Sequence, residues 1–247
     1  MNDLATSIGR PLAGRSILVT GGTSPIGAAI VRRLGAAGAS VVVHVHRPPP
    51  PGAMPDAAAL LRADLAAPGG PEQLFRDALA VAPALDAVVN NAAAFLPDDA
   101  SPEELDRMRR LNLDAPLRLL AALASRPGRP AACVAVHLLD ARIAAPAAAP
   151  GHSAYLRTKR DLAAAVARDA ARLAPDGIRV VGIAPGPVSL PADVHVPAGP
   201  MPLAGVPRPA PDDVADAVAW ALGARQVTGQ ILYVDAGQHL ALQENRT

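Results

Sequence analysis

Short apolar runs rich in Val, Ile and Leu alternate along this chain with longer, alanine-rich amphipathic stretches. Compact apolar runs of this kind predict buried strands, and the amphipathic stretches between them predict helices. We predict strands over 16–20, 40–45, 60–65, 85–90, 131–139, 177–183 and 230–234. We predict helices from the first glycine turn to about 37, over 71–80, 101–124 and 211–222, and along the alanine-rich run that begins near Tyr155 and reaches about 173.

Strands that alternate with helices indicate a parallel sheet with helices packed on both faces. The predicted fold class is therefore α/β: a Rossmann-type, doubly wound, seven-stranded parallel sheet in a three-layer α/β/α arrangement. No shift in composition suggests a second domain, so we expect a single domain over 14–247, preceded by a flexible arm over 1–13. The proline-rich stretch 187–211 lacks a helical pattern and is expected to be a loop beside the substrate site.

Composition excludes several classes of function. The 23 basic and 22 acidic residues nearly balance, and five aromatic side chains are too few for base-stacking platforms, so we expect no nucleic-acid partner. No apolar segment reaches membrane-spanning length and the N-terminus lacks a signal-peptide pattern, so we expect no membrane partner. Cys133 is the single cysteine, which favours a reducing cytoplasm. No metal site is predicted.

A glycine turn follows the first predicted strand directly, in the sequence TGGTSPIG. Strand, glycine turn and helix together present backbone N–H groups and the positive end of a helix to a phosphate. Gly21 and Gly27 allow the tight turn and the close approach of a nucleotide to the backbone. The motif predicts a dinucleotide site at this edge of the sheet.

The second predicted strand ends in His46 and Arg47, and no carboxylate follows before Asp56. An acidic residue at this point binds the adenosine ribose hydroxyls, whereas a basic residue accommodates a 2′-phosphate. The pair therefore favours NADP(H) as the cofactor over NAD(H). The alternative is a solvated strand end with no role in binding.

Tyr155 and Lys159 lie four residues apart at the start of a long alanine-rich run. On a helix both face the same side, and the ammonium would favour the phenolate and lower the pKa of Tyr155. Such a phenol could exchange protons with a substrate near neutral pH. Taken alone, the pair could equally be two ordinary surface residues.

In this order the motifs resemble those of the short-chain dehydrogenase/reductase family over about residues 14–240. TGGTSPIG resembles the family's glycine turn, NNAA its NNAG motif, Tyr155-x-x-x-Lys159 its catalytic pair and APG its PG motif, and VTGQILYVDAG resembles its closing strand. Asn112 stands where the family carries its catalytic Asn. The resemblance implies a cofactor site formed by Gly21, Thr23, Ser24, Ile26, Gly27, His46, Arg47, Asp64, Leu65, Asn91, Ala92, Lys159, Pro185, Gly186 and Val188.

Two positions depart from the family pattern. Pro25 replaces the usual middle glycine, and Arg142 occupies the spacing, about 13 residues before Tyr155, where the family carries its active-site Ser. Both departures resemble the pteridine reductase subgroup, which includes dihydropteridine and dihydromonapterin reductases. Members of that subgroup lack the middle glycine and use Asp in place of Ser.

Asp140 would supply that Asp, although it stands 15 residues before Tyr155 and so requires two extra residues in the loop 141–152. Phe95 follows the NNAA turn at the position where the subgroup stacks an aromatic ring on the pterin. The alternatives are a solvated strand end for Asp140 and a loop aromatic wedged into the core for Phe95.

The resemblance implies hydride transfer from NADPH to a pterin C=N bond, with proton delivery through Tyr155. Lys159 would bind the nicotinamide ribose and lower the Tyr155 pKa, and Asn112 would hold a relay water. Asp140 would hydrogen-bond Tyr155 or donate a proton itself, and Phe95 and Tyr155 would contact the small-molecule substrate. Relatives commonly form homotetramers. Two alternatives remain: an NADPH-dependent ketoreductase or imine reductase for another metabolite, and a non-catalytic NADP(H)-binding sensor.

Overall fold

A seven-stranded, fully parallel sheet organises the molecule. The computed structural model describes residues 10–47, 59–145, 151–188 and 207–244. The strands follow the order β3-β2-β1-β4-β5-β6-β7, so the chain starts in the middle of the sheet and builds outward in both directions. This order confirms the predicted Rossmann-type α/β fold, and it brings the carboxyl ends of all the strands to one edge, where ligands bind in such sheets.

The strands are β1 Ser16–Thr20, β2 Ser40–Val45, β3 Ala59–Arg62, β4 Ala87–Asn90, β5 Cys133–Leu138, β6 Ile178–Pro185 and β7 Ile231–Val234. The helices are α1 Pro25–Ala36, α2 Gly70–Val81, α3 Pro102–Arg109, α4 Ala115–Ser125, α5 Ser153–Leu173, α6 Pro211–Gly223 and α7 Gln238–Glu244. A π-type turn spans Arg110–Asp114, and short 3₁₀ turns span Ala141–Ala144 and Ala174–Asp176.

Two apolar layers cover the sheet. On one face α1 and α6 pack together around Ile30, Leu34 and Val218, and on the other face α2, α4 and α5 cover Leu18 and Val88. Every residue of β1 and of β4 is buried, because neither face of these central strands meets solvent. This explains why the strands read as continuous apolar runs without alternation.

Strand and helix boundaries match the prediction to within about two residues, except at the end of β3. β3 ends at Arg62, so Asp64 lies in the following turn, and β6 continues to Pro185, two residues beyond its predicted end. The predicted helix over 101–124 is confirmed in extent, since Pro102 to Ser125 is helical throughout. The sequence did not predict the π-type turn around Asn112, where one extra residue per turn is inserted.

The expected flexible arm over 1–13 is also wrong in its last residues. Leu12 is fully buried against the first core layer, and its backbone N–H donates to the Ala37 carbonyl at 3.0 Å. The packed domain therefore begins before residue 14. Residues 1–9 of the arm, and 189–206 of the expected loop 187–211, lie outside the described residues.

Among the described helices, none combines the length and the apolar character needed to cross a membrane.

Candidate active site

The glycine turn connects β1 to α1, and it leaves no room for a side chain at Gly21 or Gly27. Gly21 has a positive φ of 66°, and a Cβ placed on it would approach the Ala92 Cα to 2.9 Å. A Cβ on Gly27 would come within 2.2 Å of the Gly21 carbonyl oxygen. Pro25 occupies the first position of α1, where the missing N–H has no partner to lose. The turn therefore tolerates Pro in place of the family's middle glycine.

Side chains from two neighbouring strands hold this turn in place. The Thr20 hydroxyl accepts hydrogen bonds from the backbone N–H groups of Asn91 and Ala92, each at 3.0 Å. The Asn91 side-chain amide donates to the Thr20 and Gly21 carbonyls, both at 3.0 Å, and to Ser24 Oγ at 3.2 Å. The NNAA segment after β4 is thus cross-linked to the turn after β1.

His44 is a positioning residue that the sequence analysis missed. Its buried ring lies between the Gly21 N–H, which donates to Nδ1 at 3.3 Å, and the Ala63 carbonyl, which lies 3.1 Å from Nε2. Accepting at Nδ1 requires the neutral tautomer with its proton on Nε2, and burial lowers the pKa of His44, which keeps the ring neutral. A single polar residue inside the apolar run SVVVHV was the available signal.

A cavity of about 850 Å³ runs along the carboxyl ends of β1, β2 and β4. Most of the residues predicted to bind the cofactor share it: Gly21, Thr23, Ser24, Ile26, His46, Arg47, Asp64, Leu65, Asn91 and Ala92. Gly27 lies beneath the turn. Pro185, Gly186 and Val188 belong to β6 and the segment after it, farther along the same edge of the sheet.

The end of the cavity beside β2 is basic. His46 and Arg47 are exposed there, and Arg107 of α3 also lines the wall. Arg107 pairs with Asp64 at 2.8 Å, and Asp64 accepts a further bond from the Ala66 N–H at 3.0 Å. The Arg107 hydrogen bond and charge help to hold the pKa of Asp64 below its ordinary value, although burial opposes this shift. Size, glycine turn and charge together fit a dinucleotide with an additional phosphate.

Tyr155, Lys159 and Asp140 meet at the carboxyl end of β5, and none of them is among the residues that line this cavity. Tyr155 and Lys159 both occur in the first turns of α5, and Asp140 follows β5. The Tyr155 hydroxyl donates to Asp140 Oδ2 at 3.1 Å, and Lys159 Nζ donates to the Leu138 carbonyl at 2.8 Å. All three side chains are largely buried, with Asp140 15% exposed, so the alternative of a solvated strand end for Asp140 is wrong.

The predicted lowering of the Tyr155 pKa is wrong for this structure. Burial and the negative charge of Asp140 raise the pKa of Tyr155 well above its ordinary value, and the positive charge of Arg142 opposes this only in part. Lys159 Nζ lies 5.9 Å from the centre of the Tyr155 ring and hydrogen-bonds to backbone instead. The charge in direct contact with the phenol is therefore an anion, and Tyr155 is held protonated.

Lys159 is the only lysine in a chain with 23 basic residues. Burial lowers its pKa to about 8, with Asp140 opposing the shift. Arginine stays charged in proteins, whereas a buried lysine can titrate near physiological pH. The single lysine of the chain therefore lies four residues after Tyr155, and this is a stronger sequence signal for a functional pair than the spacing alone.

Asp140 only accepts hydrogen bonds in this arrangement. Its Oδ1 accepts from the Arg142 backbone N–H at 2.9 Å and from Arg142 Nε at 3.0 Å, and Oδ2 accepts from Arg142 Nη2 at 2.8 Å and from Tyr155. Both oxygens face donors, so the contacts of Asp140 are those of an acceptor. The expected hydrogen bond between Asp140 and Tyr155 is present, and proton donation by Asp140 stays a prediction.

Asn112 uses its whole side chain to hold the loop that follows β4. Its Oδ1 accepts from the Ala94 N–H and its Nδ2 donates to the Ala94 carbonyl, both at 2.8 Å, and Nδ2 also lies 3.3 Å from Thr158 Oγ1. Thr158 in turn donates to the Tyr155 carbonyl at 2.7 Å. Both polar atoms of the side chain therefore contact protein groups. The expected role of Asn112 in holding a relay water stays a prediction.

Phe95 lies beside Tyr155 and faces outward. Its ring is 52% exposed, so it is not wedged into the core. It packs edge-on against Tyr155 with centroids 4.7 Å apart and stacks on His152 at 4.2 Å. Asp98 fixes the same loop by accepting from the Ser153 and Ala154 N–H groups at 2.9 Å, at the start of α5. A half-exposed aromatic ring therefore borders Tyr155.

The relatives of this chain agree with the fold and with the class of enzyme. A family profile described as enoyl-(acyl carrier protein) reductase matches residues 21–239. A 3beta-hydroxysteroid dehydrogenase 1 from Eggerthella lenta is 32% identical over 256 residues, covering 93% of this chain and 95% of the relative. The chain belongs to the short-chain dehydrogenase/reductase family, and it is an oxidoreductase of that type.

Two solved structures are also similar over nearly the whole chain. A blue fluorescent protein from a metagenomic library, in complex with NADPH, has a TM-score of 0.79 and 26% identity, covering 92% of this chain and 99% of that one. FolM alternative dihydrofolate reductase 1 from Brucella canis, complexed with NADP, has a TM-score of 0.78 and 28% identity, covering 94% and 96%.

Proposed function

We propose that this protein is an NADPH-dependent reductase that transfers hydride to a pterin C=N bond, with Tyr155 as the proton donor. The observation that carries the proposal is the group formed by Tyr155, Asp140 and Phe95. A carboxylate takes the place of the family's serine hydroxyl at the phenol, and an exposed aromatic ring adjoins them.

NADP(H) is the cofactor that the cavity fits. The glycine turn excludes side chains where a diphosphate would approach, and His46, Arg47 and Arg107 supply positive charge where a 2′-phosphate would lie. The solved relatives that bind NADPH and NADP support this assignment. The cofactor supplies the hydride, and the protein supplies placement, charge and the proton.

The protein's own groups are suited to donating a proton to a reduced nitrogen. Tyr155 is protonated at neutral pH because burial and Asp140 raise its pKa, so it can act as a general acid. Burial lowers the pKa of Lys159 to about 8. Lys159 lies one helical turn after Tyr155, where its ammonium would bind the nicotinamide ribose and offset the negative charge that forms on the phenol. Asn112 positions the Ala94 backbone, and so the loop that carries Phe95.

The pterin assignment is also supported by the similarity to FolM alternative dihydrofolate reductase 1, whose name describes reduction of a dihydropterin-containing compound. A planar, electron-poor ring would pack against the exposed part of Phe95, beside the stacked His152 ring, with little loss of conformational freedom.

The direct test is NADPH oxidation with 7,8-dihydropterins, quinonoid dihydropterin and biopterin, beside a panel of simple ketones, with NADH as the cofactor control. We expect turnover with at least one pterin and a preference for NADPH. Turnover of a ketone combined with no turnover of any pterin would reject the pterin assignment and leave the oxidoreductase class intact.

A carbonyl substrate is the second candidate, and the similarity to the 3beta-hydroxysteroid dehydrogenase favours it. It predicts that Phe95→Leu changes turnover little, because a ketone does not need a stacking face. In the pterin reductase the same substitution should raise KM for the pterin by about tenfold, the equivalent of roughly 1.4 kcal/mol of lost stacking. A non-catalytic sensor would oxidise NADPH with neither class of substrate.

We also propose that the chain works in the cytoplasm as a homotetramer. Trp220 on α6 is 53% exposed, and a groove between α3 and α5 is lined by Leu105, Met108 and Arg157. Both features suit contact with further copies of the chain. Light scattering on the purified protein would test this, with the mass of a monomer as the contradicting result.

A further inference from the structure

Arg142 lies beside Asp140, Tyr155 and Phe95. The proposed function gives it no part in binding the substrate. Its guanidinium carbon lies 5.3 Å from the centre of the Phe95 ring and 5.5 Å from that of Tyr155. The side chain is 32% exposed, so it borders the open space beside these rings and is not sealed into the core.

One edge of the guanidinium is fully used by Asp140. Nε and Nη2 donate to the two carboxylate oxygens at 3.0 and 2.8 Å, which is the bidentate geometry that fixes a guanidinium plane. A guanidinium carries five N–H donors in one plane. The Nη1 hydrogens and the second Nη2 hydrogen therefore point away from Asp140.

Tyr155 and Arg142 form a pair of neighbouring donors. Both donate to the same oxygen, Asp140 Oδ2, at 3.1 and 2.8 Å, so the carboxylate holds a phenol and a guanidinium side by side. The phenol transfers a proton, whereas the guanidinium stays charged and can only donate hydrogen bonds. This pair suits a substrate that presents two adjacent acceptors, of which one is protonated in the reaction.

We propose that Arg142 determines substrate specificity by binding the 4-oxygen of a pterin while Tyr155 faces the adjacent N5. The inference rests on the proposed pterin reductase function. In a pterin, O4 and N5 lie next to each other on one edge of the ring, the same pattern of paired acceptors by which arginine recognises O6 and N7 of guanine. A serine hydroxyl at the family position would offer a single donor to this edge.

The reaction balances without a further reactant. In the N5=C6 imine bond of a 7,8-dihydropterin, C6 receives the hydride from NADPH, the C=N electron pair moves to N5, and N5 takes the Tyr155 proton. NADPH is oxidised to NADP⁺, and the phenolate regains its proton from solvent. Arg142 transfers nothing and binds O4 beside the nitrogen at which charge develops, where a fixed cation acts on the transition state.

A two-by-two comparison of enzymes and substrates tests this role. The substrates are 7,8-dihydropterin and 2-amino-7,8-dihydropteridine, which carries hydrogen in place of the 4-oxygen. The enzymes are the unmodified protein and Arg142→Gln, and kcat/KM is measured by NADPH oxidation. We expect the unmodified protein to prefer the 4-oxo substrate by about 10- to 100-fold, the range for a charge-assisted hydrogen bond, and Arg142→Gln to reduce that preference to about twofold.

The control variants distinguish binding of the 4-oxygen by Arg142 from a purely structural role of its side chain. Arg142→Lys keeps the charge but loses the planar set of donors, so it should retain only part of the preference. Arg118→Gln removes an exposed guanidinium on α4 and should leave the preference unchanged. NADPH affinity and melting temperature report whether each variant is folded, and Arg142→Lys replaces Arg142→Gln if the latter does not fold.

The outcomes are distinct. If Arg142 only positions Asp140, its replacement will slow both substrates by the same factor and the preference will persist, which overturns the inference alone. If the unmodified protein oxidises NADPH with neither dihydropterin, the proposed function fails and the inference fails with it.

Discussion

The Tyr155 hydroxyl donates to Asp140 Oδ2 across 3.1 Å, so the phenol is in direct contact with an anion. Burial and this carboxylate raise the pKa of Tyr155 well above its ordinary value. The contact favours the protonated phenol, which is the form that a reductase needs at the moment when hydride reaches the substrate.

Replacing the carboxylate should move the pH profile. Reduction takes a proton from Tyr155, so the rate is maintained below the Tyr155 pKa and falls as the pH rises through it. Asp140→Asn removes the negative charge, which lowers the Tyr155 pKa and shifts the alkaline limb of kcat to lower pH. The check is kcat against pH for both proteins, and an unmoved alkaline limb would contradict the assigned role of Asp140.

Removing the phenol hydroxyl should stop proton delivery without disturbing the cofactor cavity. Tyr155→Phe keeps the ring that packs against Phe95, and we expect kcat to fall by about 10²- to 10⁴-fold, the usual contribution of general acid catalysis. NADPH affinity, measured by fluorescence titration, should change little. Tyr233→Phe is the matched control because that ring stacks on His239 in a different part of the sheet, and its turnover should stay within about twofold of the unmodified protein.

Lys159 can be followed alone, since the chain has no other lysine. In protein labelled with ¹⁵N- and ¹³C-lysine, the single side-chain resonance should titrate with a midpoint near pH 8, because burial lowers the pKa of the ammonium to about 8. A midpoint near the ordinary lysine value would show that Lys159 is solvated.

The same shift has a consequence for stability. The unfolded chain holds this proton more tightly than the folded one, so the Lys159 contribution to the free energy of unfolding should increase as the pH rises from about 8 towards the ordinary lysine pKa. Urea unfolding of Lys159→Met across that range should lack this increase.

Asn112 should matter for stability as well as for activity. Its amide satisfies both backbone groups of Ala94 in a buried position, so Asn112→Ala leaves them without these partners. We expect a loss of about 2–3 kcal/mol in the free energy of unfolding, measured by urea denaturation. Ser101→Ala removes an exposed helix cap on the same segment and should cost only about 1 kcal/mol. Equal losses in the two variants would contradict the central role of Asn112.

Arg47 should favour NADPH over NADH by contacting the 2′-phosphate. Arg47→Gln removes a positive charge from the basic end of the cavity, so KM for NADPH should rise by about tenfold while KM for NADH changes little. Arg118→Gln on α4 provides the control for loss of an exposed arginine elsewhere. A parallel rise in both constants would argue that Arg47 contacts a group common to the two cofactors.

The sequence alone predicted the parallel sheet, its seven strands, the glycine turn and most residues of the dinucleotide cavity. These features are local or periodic: a fully buried strand is apolar throughout, as in SILVT, and a turn without room for a Cβ needs glycine at Gly21 and Gly27. Pattern and spacing are sufficient wherever neighbouring residues carry the information. They also placed Tyr155 and Lys159 on one face of α5.

Only the tertiary structure decided the relationships between distant segments. Asp140 is two residues off the family spacing, and the folded loop alone shows that its carboxylate reaches the Tyr155 hydroxyl with Arg142 beside it. The sign of the Tyr155 pKa shift followed from that contact and from burial, so a prediction from the nearby Lys159 in sequence was wrong. Charge and burial at a site depend on which chain segments converge there, and linear spacing does not record that convergence.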